Sequence, residues 1–231
     1  MCMDNPADQP IIVDRESGVT LLGGVETSQG ILTESLQHAP TLVAADGGLD
    51  QALALGHVPA AVIGDLDSAS PAALARMPPG SVHRVAEQES TDFEKALSRI
   101  RAPFVIATGF RGGRFDHELA VLSALLRHRT RPVLLLSKEE VVFHAPPRLA
   151  LKLAPGMRVS LFPLLPVEGR SRGLRWPIDD LVLAPGGRVG TSNEAAATEV
   201  HLEVAGPGLL VLLPREALGE AVRVLAPGFV R

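Results

Sequence analysis

Asp46 closes the apolar run of "TLVAADGG", and Asp65 and Asp67 follow the run that ends at Gly64 in "AAVIGDLDS". Acids placed where apolar strands stop can hold a cation or a polar ligand. In open α/β sheets the loops at the carboxyl ends of strands converge, and the following helices point their N-termini inward. Asp-Gly also makes ordinary turns, and an aspartate ahead of a helix commonly caps it. Ser70 with Pro71 already has the pattern of a cap and a first helical residue, so neither Asp65 nor Asp67 is needed to start that helix, and the pair is read as functional.

Two further stretches carry charge. In "STDFEKALSRI" Thr91 and Glu94 form a capping-box pattern that puts Asp92 in the first helical turn and Lys95 one turn on. Phe93, Ala96, Leu97 and Ile100 make the apolar stripe, leaving Asp92, Lys95 and Arg99 on the other face. Alone, that segment reads as an acid favoured by the helix dipole and a surface Asp-Lys pair, worth about 0.2–0.5 kcal/mol. In "ATGFRGGRFDHELA", residues 107–120, an apolar strand passes through Arg111, Gly112, Gly113, Arg114 and Asp116 into a helix. Glycines let backbone N–H groups approach an anion, and guanidinium groups bind phosphate oxygens in pairs. Asp116 beside them would repel a bare phosphate unless a cation lay between. Mg²⁺ takes one or two carboxylates together with phosphate oxygens and water, so this mixture of signs points to a metal-nucleotide complex. His117 reads as a solvent-facing residue of the first turn. The chain has neither a Walker pattern nor the Gly-rich loop of protein kinases, so a nucleotide would be held by metal and scattered basic residues.

These residues need a scaffold. Up to about residue 140 the runs "VTLLGG", "TLVAADGG", "AAVIGD", "PFVIATG" and "PVLLLS" alternate with helical patterns, which predicts parallel strands with crossover helices. Beyond that, "RLALKL", "MRVSLFPLL", "DLVLAPGG" and "EVHLEVAGPGLLVLLP" are short, often alternating and broken by Gly and Pro, which predicts an antiparallel β domain over 141–231, closed by a short helix in "REALGEAVRVL". The expected divisions are an extension over 1–17, read as flexible, an α/β domain over 18–140, and the β domain.

Bulk properties exclude several classes. The 231 residues are 46% hydrophobic and 21% charged, enough for a sizeable core. A net charge of -4 with no basic run argues against nucleic acid, and no apolar stretch approaches a membrane span. The polar start and the single cysteine, Cys2, fit a cytoplasmic protein without disulfides.

In this order the motifs "ADGG" (45–48), "GDLDS" (64–68), "STDFEKAL" (90–97), "GGRFDH" (112–117), "GLRWPI" (173–178) and "GTSNE" (190–194) resemble the thiamine pyrophosphokinase family over roughly residues 18–215. The resemblance implies a Rossmann-like α/β catalytic domain, a C-terminal all-β sandwich and a homodimer. It also implies transfer of a pyrophosphoryl group from ATP to thiamine with Mg²⁺. On this resemblance Asp46, Asp65, Asp67, Asp92 and Asp116 would bind the metal and position the thiamine hydroxyl, with Asp92 or Asp116 as the proton acceptor. Lys95, Arg111, Gly112, Gly113 and Arg114 would contact ATP, Gln88 would help hold it, and Trp176, Ser192 and Asn193 would receive thiamine. Leu66 departs from the aromatic residue often found between the two acids. Independently of the resemblance, Trp176 is the only tryptophan, and a cationic heteroaromatic ligand favours an aromatic face by about 0.5–2 kcal/mol. An ordinary core tryptophan is the competing reading. The rival activities are a pterin pyrophosphokinase and a metal-dependent phosphohydrolase, and the non-catalytic rival is a nucleotide or thiamine sensor.

Overall fold

The computed structural model describes residues 9–229, so Cys2 lies outside the described part. The chain divides into two compact units, Met1–Ala124 and Leu125–Arg231.

The first unit runs β1 (Val13–Asp14), β2 (Val19–Leu22), α1 (Gln29–His38), β3 (Thr41–Ala45), α2 (Gly48–Ala54), β4 (Ala61–Gly64), α3 (Pro71–Leu74), β5 (Val82–Arg84), α4 (Asp92–Ser98), β6 (Ile100–Arg101) and β7 (Val105–Thr108), then enters α5 (Phe115–Arg127). Strands β7, β2, β3, β4 and β5 lie side by side in that order, all parallel. Every residue of β2, β4 and β7 is buried, as expected of a parallel sheet covered on both faces. Because β3 and β4 are parallel neighbours, Asp46 and Asp65 leave the sheet at the same edge. Strand order reverses between β2 and β7, and the loop after β7 carries the paired glycines of "RGGR". Ligands in open α/β sheets collect at such a reversal.

Residues 9–17, expected to be part of a flexible extension, are instead tied down. β1 pairs in parallel with β6, and Arg99 Nη2 donates to Gln9 Oε1 at 2.7 Å. Arg99 is accordingly buried rather than solvent-facing, because this segment covers its face of α4.

The second unit contains β8 (Val133–Leu136), β9 (Glu140–His144), β10 (Arg148–Lys152), β11 (Ser160–Pro163), β12 (Val167–Arg172), β13 (Val182–Leu183), β14 (Glu199–Val204), β15 (Leu209–Pro214) and α6 (Leu218–Leu225). Strands β11, β15, β9 and β8 form one antiparallel set, and β10, β14, β12 and β13 form another. β14 alternates exposed and buried residues throughout, the mark of a sheet with one wet face. The run "PVLLLS", read with the first layer, is β8, which pairs antiparallel with β9. The closing helix is α6, preceded by one 3-10 turn. No described helix is long and apolar enough to cross a membrane.

Candidate active site

Local backbone chemistry positions the acids. Asp46 adopts φ 41° at the end of β3, a left-handed conformation that aspartate tolerates better than most residues. Its buried carboxylate accepts from Ser68 N at 3.3 Å and from Ala69 N at 3.1 Å, which fastens the "GDLDS" loop over it. Leu66 at φ 67° turns the chain between Asp65 and Asp67, and Asp67 N donates to Asp65 Oδ1 at 3.4 Å. Asp50, which sequence reasoning did not single out, anchors the far end of the loop by accepting from Ser70 N at 2.9 Å and Ser70 Oγ at 2.5 Å. Ser70 Oγ in turn accepts from Ala73 N and caps α3, as its pattern predicts. Gly64 has no room for a side chain, since a Cβ there would lie 2.8 Å from Asp46 Cβ.

The result is a triad. One carboxylate oxygen from each of Asp46, Asp65 and Asp67 lies within 4.8 Å of the others. The crowding has an electrostatic cost. Burial, then the charge of Asp92 and the nearby Asp67 and Asp65, push the Asp46 carboxyl up to about 6 against the bond from Ser68 N.

Asp92 and Lys95 extend the group. Thr91 Oγ1 accepts from Glu94 N at 3.4 Å and starts α4 at Asp92. Lys95 is only 2% exposed, and its Nζ donates to Asp65 Oδ2 at 2.7 Å and to Asp92 Oδ1 at 3.2 Å. A surface Asp-Lys pair is therefore the wrong description. Lys95 turns inward because the Asp65 carboxylate waits beside α4. Burial is the largest influence on its ammonium and pulls its pKa down, but the bond to Asp65 and the charge of Asp92 more than offset this, so the group is held above its usual value. The same bond from Lys95 lowers Asp65, whereas burial raises Asp92. Gln88 Nε2 donates to Asp65 Oδ2 at 3.4 Å.

The glycine loop is organised separately. Gly112 adopts φ 89°, and its N–H donates to Glu118 Oε2 at 3.3 Å, while Arg111 Nε donates to Glu118 Oε1 at 2.9 Å. Glu118 thus meets loop donors of the kind an anion would use, a role no sequence pattern suggested. A Cβ on Gly113 would lie 2.8 Å from Val25 Cγ2. Asp116 sits in the first turn of α5 rather than in the connection. It is not among the triad's members, and its partner is Arg114, at 2.6 Å with both side chains exposed. That bond holds its carboxyl at about 2.

Trp176, Ser192 and Asn193 belong to the second unit. Asn193 is 4% exposed, and its side chain grips the Trp176 backbone from both sides: Oδ1 accepts from Trp176 N at 3.2 Å and Nδ2 donates to Trp176 O at 2.7 Å. Asn193 thus holds the Trp176 backbone in place. Ser192 adopts φ 59°, with its N–H donating to Ser160 Oγ at 3.0 Å. Trp176 itself is 53% exposed, which removes the core-tryptophan reading.

Clustered carboxylates, an engaged lysine and an arginine-glycine loop at one parallel-sheet unit are the equipment of an enzyme that handles metal-bound polyphosphate. Comparison with known proteins narrows that class. The family model described as "Thiamin pyrophosphokinase, catalytic domain" matches residues 32–135, and "Thiamin pyrophosphokinase, vitamin B1 binding domain" matches residues 147–209. Thiamine pyrophosphokinase 1 of Oryza sativa is 28% identical over 154 residues, covering 58% of each chain, and thiamine pyrophosphokinase 2 of Arabidopsis thaliana is 29% identical over 46% of each. The chain thus spans about half the length of these curated relatives, although a Caenorhabditis elegans relative, thiamin pyrophosphokinase 1, is matched at 26% identity over 83% of its length and 79% of this chain. In fold, the chain is similar to thiamin pyrophosphokinase from Candida albicans, with a TM-score of 0.75 at 16% identity, covering 87% of this chain and 92% of that one. The Bacillus subtilis thiamine pyrophosphokinase gives 0.72 at 20% identity, covering 85% and 98%. The chain belongs to the thiamin pyrophosphokinase family.

Proposed function

We propose that the protein transfers the pyrophosphoryl group of ATP to the hydroxyl of thiamine, giving thiamine diphosphate and AMP. The observation that carries this reading is the carboxylate triad of Asp46, Asp65 and Asp67 in a chain matched by both the catalytic and the vitamin B1 binding models of one family. The match to the vitamin B1 binding model favours this reading over the rival activities.

The triad suits Mg²⁺. Carboxylate oxygens are the hard donors it prefers, and across an octahedral ion two ligand oxygens lie about 3 Å apart when adjacent and about 4.2 Å when opposite. Oxygens within 4.8 Å of one another need to close only slightly, and Asp67 stands on an exposed part of the loop. Bound there, the ion would neutralise phosphate charge and draw the polyphosphate to an otherwise repellent edge.

This chain's residues have the remaining tasks. The thiamine oxygen forms a bond to the β-phosphorus, the bond from that phosphorus to the α-β bridging oxygen breaks, and AMP leaves with the electron pair. Asp92 takes the hydroxyl proton in this reading. Burial raises its pKa, whereas Asp116, held at about 2 by Arg114, is a poor base. Arg114, steered by Asp116, and Arg111 with the N–H groups of Gly112 and Gly113 bind phosphate oxygens. Lys95 holds Asp65 and Asp92 in register and offsets charge at the polyphosphate, and Gln88 steadies Asp65 and the nucleotide. Trp176 stacks on thiamine, Ser192 lines that face, and Asn193 acts through Trp176. The functional division assigns 18–140, Rossmann-like, to ATP and 141–231, a sandwich, to thiamine; the two family models leave that junction between them. The active form is a cytoplasmic homodimer in this proposal, as the family resemblance implies.

The test mixes purified chain with ATP, Mg²⁺ and thiamine. Equal amounts of AMP and thiamine diphosphate are expected. AMP or inorganic phosphate formed equally well without thiamine would replace this reading with a hydrolase, and turnover of a hydroxymethyl pterin in place of thiamine would replace it with the pterin enzyme.

A further inference from the structure

One face of the exposed Trp176 ring is already taken. The guanidinium carbon of Arg175 lies 5.0 Å from the ring centroid, inside the range of a cation-π contact. Its position is fixed by its neighbours. Arg175 Nη1 donates to Glu194 Oε1 at 2.6 Å, Arg175 N donates to Glu194 O at 2.9 Å, and the flanking Leu174 and Ala195 form an antiparallel bridge. Asn193 Oδ1, which accepts from Trp176 N, also accepts from Glu194 N at 2.9 Å. The segments "LRW" and "NEA" are therefore clamped together, with the indole and the guanidinium stacked on them.

From this geometry we infer that Arg175 is a specificity-setting residue, which makes Trp176 a one-faced platform and holds down its affinity for a positively charged ring. The inference rests on the reading of Trp176 as the thiamine face. Glu194 holds the guanidinium through Nη1 and the Arg175 backbone through its carbonyl, so a flat ligand stacks on the opposite face. There it meets an indole whose negative π face is already polarised toward one cation, and its own positive charge lies across the ring from another. A neutral ring of the same shape feels neither effect.

Because Trp176 is the only tryptophan in the chain, its fluorescence reports this ring alone. The experiment titrates the full chain, without ATP, with thiamine and separately with a neutral analogue in which thiophene replaces the thiazolium. In the wild type both should quench saturably. Arg175→Gln should tighten thiamine by about two- to fivefold and leave the analogue unchanged. Arg175→Lys, which keeps the charge, should stay near the wild type for both ligands and guards against a folding artefact in the first variant. Equal tightening of both ligands would mean that the arginine is displaced from the face the ligand uses, and no change in either would mean that it does not touch binding. Each result overturns the inference while sparing the thiamine site. Absence of saturable quenching by either ligand in the wild type would overturn the site and the inference together.

Discussion

A carboxylate with its pKa near neutrality is waiting for either a proton or a cation, and Asp46 is in that position because burial and three acidic neighbours act on it together. Asp67 contributes to that field from an exposed spot, where it also accepts a 2.8 Å bond from Ser68 Oγ and donates its N–H to Asp65. Asp67→Asn keeps the size and removes the charge. It should lower kcat/KM by about 100-fold or more, the scale expected when one charge-stabilising contact is lost, while unfolding shifts by under about 0.5 kcal/mol. Steady-state kinetics at saturating Mg²⁺, beside a thermal melt, checks this, and near-normal turnover would remove Asp67 from the metal site. The identity of this residue was readable in the sequence, since a strand end followed by acids that no helix cap requires is a local pattern. The inward turn of Lys95 was not readable, because its partner Asp65 lies 30 residues away on another element.

At the scale of elements, β3 and β4 bring the triad together only because Gly64 lets them approach. A Cβ on residue 64 would meet Asp46 Cβ at 2.8 Å and Asp46 Cα at 3.2 Å, both on a buried strand end that cannot step aside. Gly64→Ala should cost about 1–3 kcal/mol by overpacking and should also separate Asp46 from Asp65. The expected result is a lower melting temperature with a raised Mg²⁺ requirement for turnover. A variant that is destabilised but keeps the wild-type Mg²⁺ dependence would show that β3-β4 spacing does not set the site. Caps were legible for the same reason that turns were: Thr91 and Ser70 act on N–H groups within three residues. β12 escaped sequence reading because "VEGRSR" lacks an apolar alternation, being recruited as a strand by pairing with β14 and β13. β1 escaped because two residues carry no period at all.

Across the whole molecule, protonation of the site and binding of the ion are linked. A group whose folded pKa is raised, as for Asp46, stabilises the fold while it is protonated and loses that contribution as pH rises through about 6. Mg²⁺ requires the ionised form, so its stabilisation should appear over the same interval. Melting temperature measured with and without Mg²⁺ at each pH cancels titrating groups remote from the ion, His144 among them, whose pKa is lowered by burial and by Arg129. At ten times Kd the ion should add about 1.4 kcal/mol, roughly 3–6 °C, at pH 7.5, shrinking toward nothing at pH 5. An increment that is the same at both pH values would detach Asp46 from the ion. The most direct test of the central claim is a crystal grown with Mn²⁺ and a non-hydrolysable ATP analogue, read by anomalous scattering. A peak is expected within ligand distance of Asp46, Asp65 and Asp67 oxygens and of the analogue's phosphates. A peak bound to phosphates alone, with the three carboxylates turned away, would contradict it.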